Sequence, residues 1–127
     1  LAFSAGRPSV FVRKAAKEHG LARRIEGGDV VGRRTILVED MVTTGGSSLS
    51  AVTALREAGA VVADCFAIIT YGFAEAGEAF SAVAVRLTTL TTFETVVAEA
   101  LARGTIDRRG AELVRAWLAD PHAWDER

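Results

Sequence analysis

The densest chemistry in this 127-residue chain lies in one run, Thr35 to Ser48, which reads TILVEDMVTTGGSS. Two adjacent acids, Glu39 and Asp40, precede a loop of hydroxyls and glycines that leads straight into a helix-like pattern. Gly45 and Gly46 allow the backbone to curl so that successive N–H groups converge. The helix that follows presents its unpaired amides and positive dipole end to the same point. Thr43, Thr44, Ser47 and Ser48 add hydroxyl donors, completing a cradle suited to phosphate. It is not a Walker A loop, because it has no Gly-Lys-Ser/Thr and its acids come before it, and it does not fit the GxGxxG dinucleotide fingerprint. Carboxylates beside a phosphate repel it unless they hold sugar hydroxyls or a divalent cation, so the pattern points to a phosphorylated sugar. Side-chain alternation along a strand sends one of the two acids into the crevice and the other away from it.

A second cluster lies upstream, in FVRKAAKEHG (Phe11 to Gly20). From Arg13 to Gly28 the chain is polar, basic, bounded by glycine and free of a sustained apolar stripe, which reads as a mobile loop. Residues 1–34 hold eight Lys/Arg against three Asp/Glu, whereas residues 35–107 hold three against nine. The formal net charge is only −1, so the whole molecule has no bulk attraction for nucleic acid. A basic front joined to an acidic middle suits one site that handles phosphates and a metal.

These residues need a scaffold. The chain is 50% hydrophobic and 24% charged, ordinary globular composition that excludes disorder and fibrous repeats. No apolar run approaches the ~20 residues that span a bilayer. A single cysteine, Cys65, excludes an intrachain disulfide and a multi-thiolate zinc site and suits a reducing, cytoplasmic setting. Its neighbours Val, Phe and Ile mark it as a buried structural thiol.

Leu1–Ala5 reads as the end of a helix stopped by Gly6, and suggests that material precedes it. Ser9–Val12 reads as a buried strand, and Thr35–Val38 as the next, ending at Glu39-Asp40. A helix follows, with Leu49, Val52 and Leu55 on one face and Gly59 as its stop. Val61–Thr70 is apolar except for Asp64, which predicts a central parallel strand covered on both sides. A helix over Ala74–Ala82, a strand over Val83–Leu87 and helices over Phe93–Arg103 and Ala111–Ala119 complete the pattern. Trp117 and Trp124 read as anchors of the last helix, and His122 has no metal-binding partner in sequence. The class is α/β: a Rossmann-like parallel sheet flanked by helices, in a single domain over 1–127.

VEDMVTTGGSS resembles the phosphoribosyl pyrophosphate (PRPP) signature of the type I phosphoribosyltransferases. FVRKAAKEHG resembles the catalytic loop of the orotate phosphoribosyltransferases, and the C-terminal stretch from Thr70-Tyr71-Gly72-Phe73 to Trp117 and Trp124 is similar to a subset of them. The resemblance implies transfer of phosphoribose from PRPP to orotate, giving orotidine monophosphate and pyrophosphate in pyrimidine synthesis. It implies that Glu39 and Asp40 hold the ribose hydroxyls, and that Met41, Val42, Thr43, Thr44, Gly45, Gly46 and Ser47 form the sugar-phosphate loop, with Thr43 near the base; Met41 on its own reads as packing. Arg13 and Lys14 match pyrophosphate-binding positions. Lys17 and His19 match the loop tip, which closes over the partner's site, so the resemblance implies a homodimer that shares the Arg13–Gly28 loop. The catalytic assignments are Lys17, Glu39 and Asp40. Magnesium would ride on PRPP and pyrophosphate rather than in a protein cage.

Two departures matter. Many members of the family carry Asp-Arg where Thr70-Tyr71 stands, and that arginine contacts orotate; here Tyr71 would stack or hydrogen-bond instead. The family fold also has an amino-terminal part, with a first core strand and a hood over the base, that this sequence does not show. The rival readings are a phosphoribosyltransferase for another base and a non-catalytic, PRPP-sensing regulator that binds nucleic acid. The basic loop argues against the regulator, since a sensor needs the cradle but no lid over a departing pyrophosphate.

Overall fold

A computed structural model describes residues 1–14 and 24–121. In chain order these form β1 (Phe11–Val12), β2 (Ile25–Glu26), β3 (Arg34–Val42), α1 (Gly46–Glu57), β4 (Val61–Thr70), α2 (Ala74–Ala82), β5 (Arg86–Thr92), α3 (Phe93–Ala102) and α4 (Arg108–Ala119). β3, β4 and β5 make a parallel sheet in that order, with α1 and α2 as the crossovers, which is the layered α/β arrangement expected. β1 and β2 form a separate antiparallel ribbon.

α1 and α2 touch each other and cover one face of the sheet. Val52 and Leu55 of α1 and Phe80 of α2 close over Val62, Cys65 and Ala67 of β4, each 2% exposed or less. Arg56, in the last turn of α1, donates to the carbonyls of Val62 (2.6 Å) and Val83 (2.9 Å), and so fastens that helix to the start of β4 and the end of α2.

Several boundaries differ from the sequence expectation. β3 runs four residues past Val38, because Glu39, Met41 and Val42 keep register with Ala67, Ile69 and Thr70 of the longer β4. The strand expected over Val83–Leu87 forms at Arg86–Thr92, where four threonines supply β-branched residues. Val83 instead caps α2. α4 begins before Ala111 because Asp107 caps it, its carboxylate accepting the Gly110 N–H at 2.7 Å. Ser9–Val12 is not a buried strand: only Phe11–Val12 pairs, and Phe11 is 77% exposed.

β4 is central, but it is covered on one face only. Ile68 is exposed, as are Ile36 and Val38 of β3 and Leu90 of β5. The apolar run therefore reported a strand paired on both edges, not one buried on both faces.

Cys65 is the structural thiol expected. Burial, with a smaller contribution from the nearby Glu39 charge, pushes its pKa from 9.0 to about 12. The raised value favours the protonated native state, so this contribution to stability is complete below pH 9 and is lost as pH rises toward about 12. A thiol-specific chromogenic reagent at pH 8 is expected to react with it only after unfolding; prompt stoichiometric reaction in the native protein would show that the site is open.

Candidate functional site

The site lies beyond the carboxyl ends of the strands, where open α/β sheets place their ligands. β3 delivers the chain to Gly45, which has φ of +86° and caps α1. An added Cβ there would sit 3.0 Å from Phe80 Cε2, so the turn needs glycine both for its backbone conformation and for the close approach of α2. The Leu49 N–H bonds the Gly45 carbonyl at 2.9 Å, which starts the helix. The N–H groups of the first turn have no partner within the helix and face the turn, at the positive end of the dipole. Thr43, Thr44 and Ser47 are exposed around it, whereas Ser48 is 1% exposed and belongs to the core. Three of the four hydroxyls expected at the cradle are thus accessible.

Glu39 is half-buried and Asp40 exposed. Alternation along β3 puts them on opposite faces, as expected. Asp40 Oδ1 accepts its neighbour's Met41 N–H at 2.7 Å, which orients the carboxylate and leaves the second oxygen available. Met41 is 44% exposed and so is not a core residue, whereas Val42, 1% exposed, packs beneath the cradle. No group of three or more His, Cys, Asp or Glu residues converges as a metal cage among the described residues.

Arg13 lies just past β1, opposite Arg24: its N–H donates to the Arg24 carbonyl at 2.7 Å. Its guanidinium forks onto Glu26, through Nε at 2.8 Å and Nη2 at 3.1 Å. Lys14 is exposed beside it. Lys17 and His19 lie outside the described residues, as do His122 and Trp124. Arg24 is tied down: Nε donates to the Arg13 carbonyl at 3.0 Å and Nη2 to Ser50 Oγ of α1 at 3.0 Å. The sequence reading missed Arg24, Glu26 and Ser50. The available signal was the alternation in Arg24-Ile25-Glu26, which sends Ile25 inward against Val12 and leaves the charged residues on the other side.

On the far side of the cradle, the Tyr71 N–H bonds the Val42 carbonyl at 3.1 Å and brings the Tyr71 ring to the end of β4. That ring stacks on Phe93 (4.7 Å between centroids) and meets Trp117 edge-on at 5.4 Å. Trp117 is therefore an anchor of α4, as expected. Tyr71, Phe93, Leu113, Val114 and Trp117 line an apolar hollow of about 290 Å³. A more open hollow of about 500 Å³ at the opposite end of the sheet includes Arg34, Asp64 and Arg86 and takes no part in the cradle.

No family model matches the chain. Among curated proteins, it is 40% identical over 119 residues to an orotate phosphoribosyltransferase of Porphyromonas gingivalis, covering 94% of this chain and 57% of that protein. It is 39% identical over 117 residues to the Bacillus caldolyticus orotate phosphoribosyltransferase, covering 92% and 57%. The chain thus spans little more than half the length of these relatives. The crystal structure of orotate phosphoribosyltransferase from Aeropyrum pernix superposes with a TM-score of 0.68 at 30% identity, over 77% of this chain and 54% of that one. The structure of Leishmania donovani UMP synthase gives 0.77 over 93% of this chain and 25% of that one; at 19% identity it speaks to the fold alone.

Proposed function

We propose that the chain forms the PRPP-binding core of an orotate phosphoribosyltransferase; its 40% identity to a curated orotate phosphoribosyltransferase over 94% of its length, and the fold it shares with the Aeropyrum pernix enzyme, support that reading. The carrying observation is the Gly45 turn at the start of α1, with Asp40 one strand-end away.

The first-turn amides, with Thr43, Thr44 and Ser47, bind the sugar phosphate and fix the ribose over the strand ends. Of the two acids that the resemblance assigns to the ribose hydroxyls, Asp40 is the exposed one and accepts hydrogen bonds from them, whereas Glu39 is half-buried on the opposite face of β3. As the bond from the anomeric carbon to pyrophosphate breaks and a base nitrogen bonds to that carbon, giving up its proton to the departing pyrophosphate, positive charge grows on the ring and negative charge on the leaving group. The Asp40 carboxylate opposes the first, and Arg13, Lys14 and Lys17 the second; contacts that strengthen as charge develops lower the barrier. Magnesium, when bound with the pyrophosphate, supplies further neutralisation of the leaving group, and the free oxygen of Asp40 can hold its water shell. His19 joins Lys17 on the segment that excludes water from the reacting centre.

The same reading makes the enzyme a cytoplasmic homodimer, each site receiving Lys17 from the partner. Orotate consumption that requires both PRPP and Mg²⁺ is the test. Wild-type protein that is folded and dimeric by sedimentation yet consumes no orotate would overturn the assignment. Turnover with another base in place of orotate would support the alternative specificity, to which the Tyr71 substitution lends weight.

A further inference from the structure

We infer that Arg24 and Glu26 are positioning residues, which hold the Arg13 guanidinium at a fixed attitude to the α1 cradle with one edge of its fork free for an oxyanion. This rests on the proposed reading only for the identity of that oxyanion as the leaving pyrophosphate.

Three attachments carry it. Val12 and Ile25 pack against the core and seat the ribbon. Glu26 takes the Nε and Nη2 edge of Arg13 in a bidentate fork. A guanidinium has five N–H donors, so this leaves three on the outer edge, aimed by a planar contact rather than free to rotate. Arg24 then spans two elements: one nitrogen holds the Arg13 carbonyl, another the Ser50 hydroxyl. Ser50 lies on α1 one turn beyond Gly46, so the ribbon is referenced to the helix whose first turn is the cradle. Lysine could not replace Arg24, because a single ammonium cannot reproduce a fork that spans two acceptors. The arrangement also sets charge. Glu26 partly neutralises Arg13, so the ribbon does not hold anions tightly in the ground state, yet the outer N–H edge is already aligned when negative charge grows.

The test compares R24Q, S50A, S50T, E26A and the R24Q/S50A double variant in PRPP-dependent turnover, together with the side-chain Nε–H resonance of Arg13 in substrate-free protein. R24Q and S50A should each lower kcat roughly tenfold while KM for PRPP changes less than about twofold, the pattern for an interaction realised in the transition state. The double variant should be no worse than R24Q, since R24Q already removes the one contact that S50A breaks. S50T, which keeps the hydroxyl, should restore the rate. The Arg13 resonance should be sharp and protected in wild type and lost in E26A and R24Q, with thermal midpoints unchanged. An unchanged kcat in R24Q and S50A, additive losses in the double variant, or an Arg13 signal indifferent to E26A and R24Q would each overturn the inference. If wild type turns over no PRPP, the assigned activity fails by itself, and the resonance, titrated with inorganic pyrophosphate, decides the positioning role.

Discussion

Gly45→Val is expected to reduce PRPP affinity by roughly a hundredfold or more, equivalent to about 2.7 kcal/mol. The turn has φ of +86°, a region in which a β-branched residue is an outlier. The new Cβ would also lie 3.0 Å from the ring of Phe80, itself 1% exposed and unable to yield without disturbing the core. Either relief, unwinding the turn or displacing α2, moves the first-turn amides away from a common point. Calorimetric titration with PRPP gives the answer, with circular dichroism as the check on folding. Because valine could unfold the domain, Gly45→Ala provides the second measurement: it carries the same backbone penalty with a smaller side chain and should still lose at least tenfold in affinity. A folded variant of either kind that binds PRPP as wild type does would remove the cradle from the mechanism.

The second large effect is at Asp40. Asp40→Asn should lower kcat by roughly a hundredfold, the scale seen when one preorganised transition-state contact is lost. The substitution is clean for a structural reason: the Met41 N–H bonds Oδ1 at 2.7 Å, and an asparagine carbonyl oxygen can accept that bond unchanged. What disappears is the charge on the outward oxygen, replaced by an amide that cannot oppose a developing oxocarbenium ion. The thermal midpoint should therefore stay within a degree or two while turnover collapses. Turnover within about twofold of wild type would reduce Asp40 to an exposed strand-end acid.

The sequence was most legible where chemistry and local structure coincide. Gly45-Gly46 between Asp40 and Leu49 can be read as a turn into a helix start because only glycine tolerates that backbone, and the structure puts the turn there. α1 was readable from the spacing of Leu49, Val52 and Leu55, closed by Gly59. Strand ends were less so. β3 passes through Glu39 and Asp40 because its partner is long enough to keep pairing, a fact held in β4 and not in the polar residues themselves. β5 is mostly threonine, which carries β propensity but little hydrophobic signal. The ribbon was obscured for a third reason: with two residues per strand its pattern is too short for periodicity, and what fixes it, Arg24 on Ser50, joins positions that only the fold brings together.

The contact between Gly45 and Phe80 has a consequence for the energetics of the whole layer. Phe80 belongs to α2, beyond α1 and β4 in the chain, and its ring lies against the turn, so a shaped turn and a docked α2 favour one another. A ligand that binds the shaped turn binds that docked population and not the undocked one. By mass action, occupancy at a hundred times the dissociation constant should deepen the docked state by about 2.7 kcal/mol. The gain will be spread along α2 and into β5 as slower amide exchange, rather than confined to the loop that touches the phosphate.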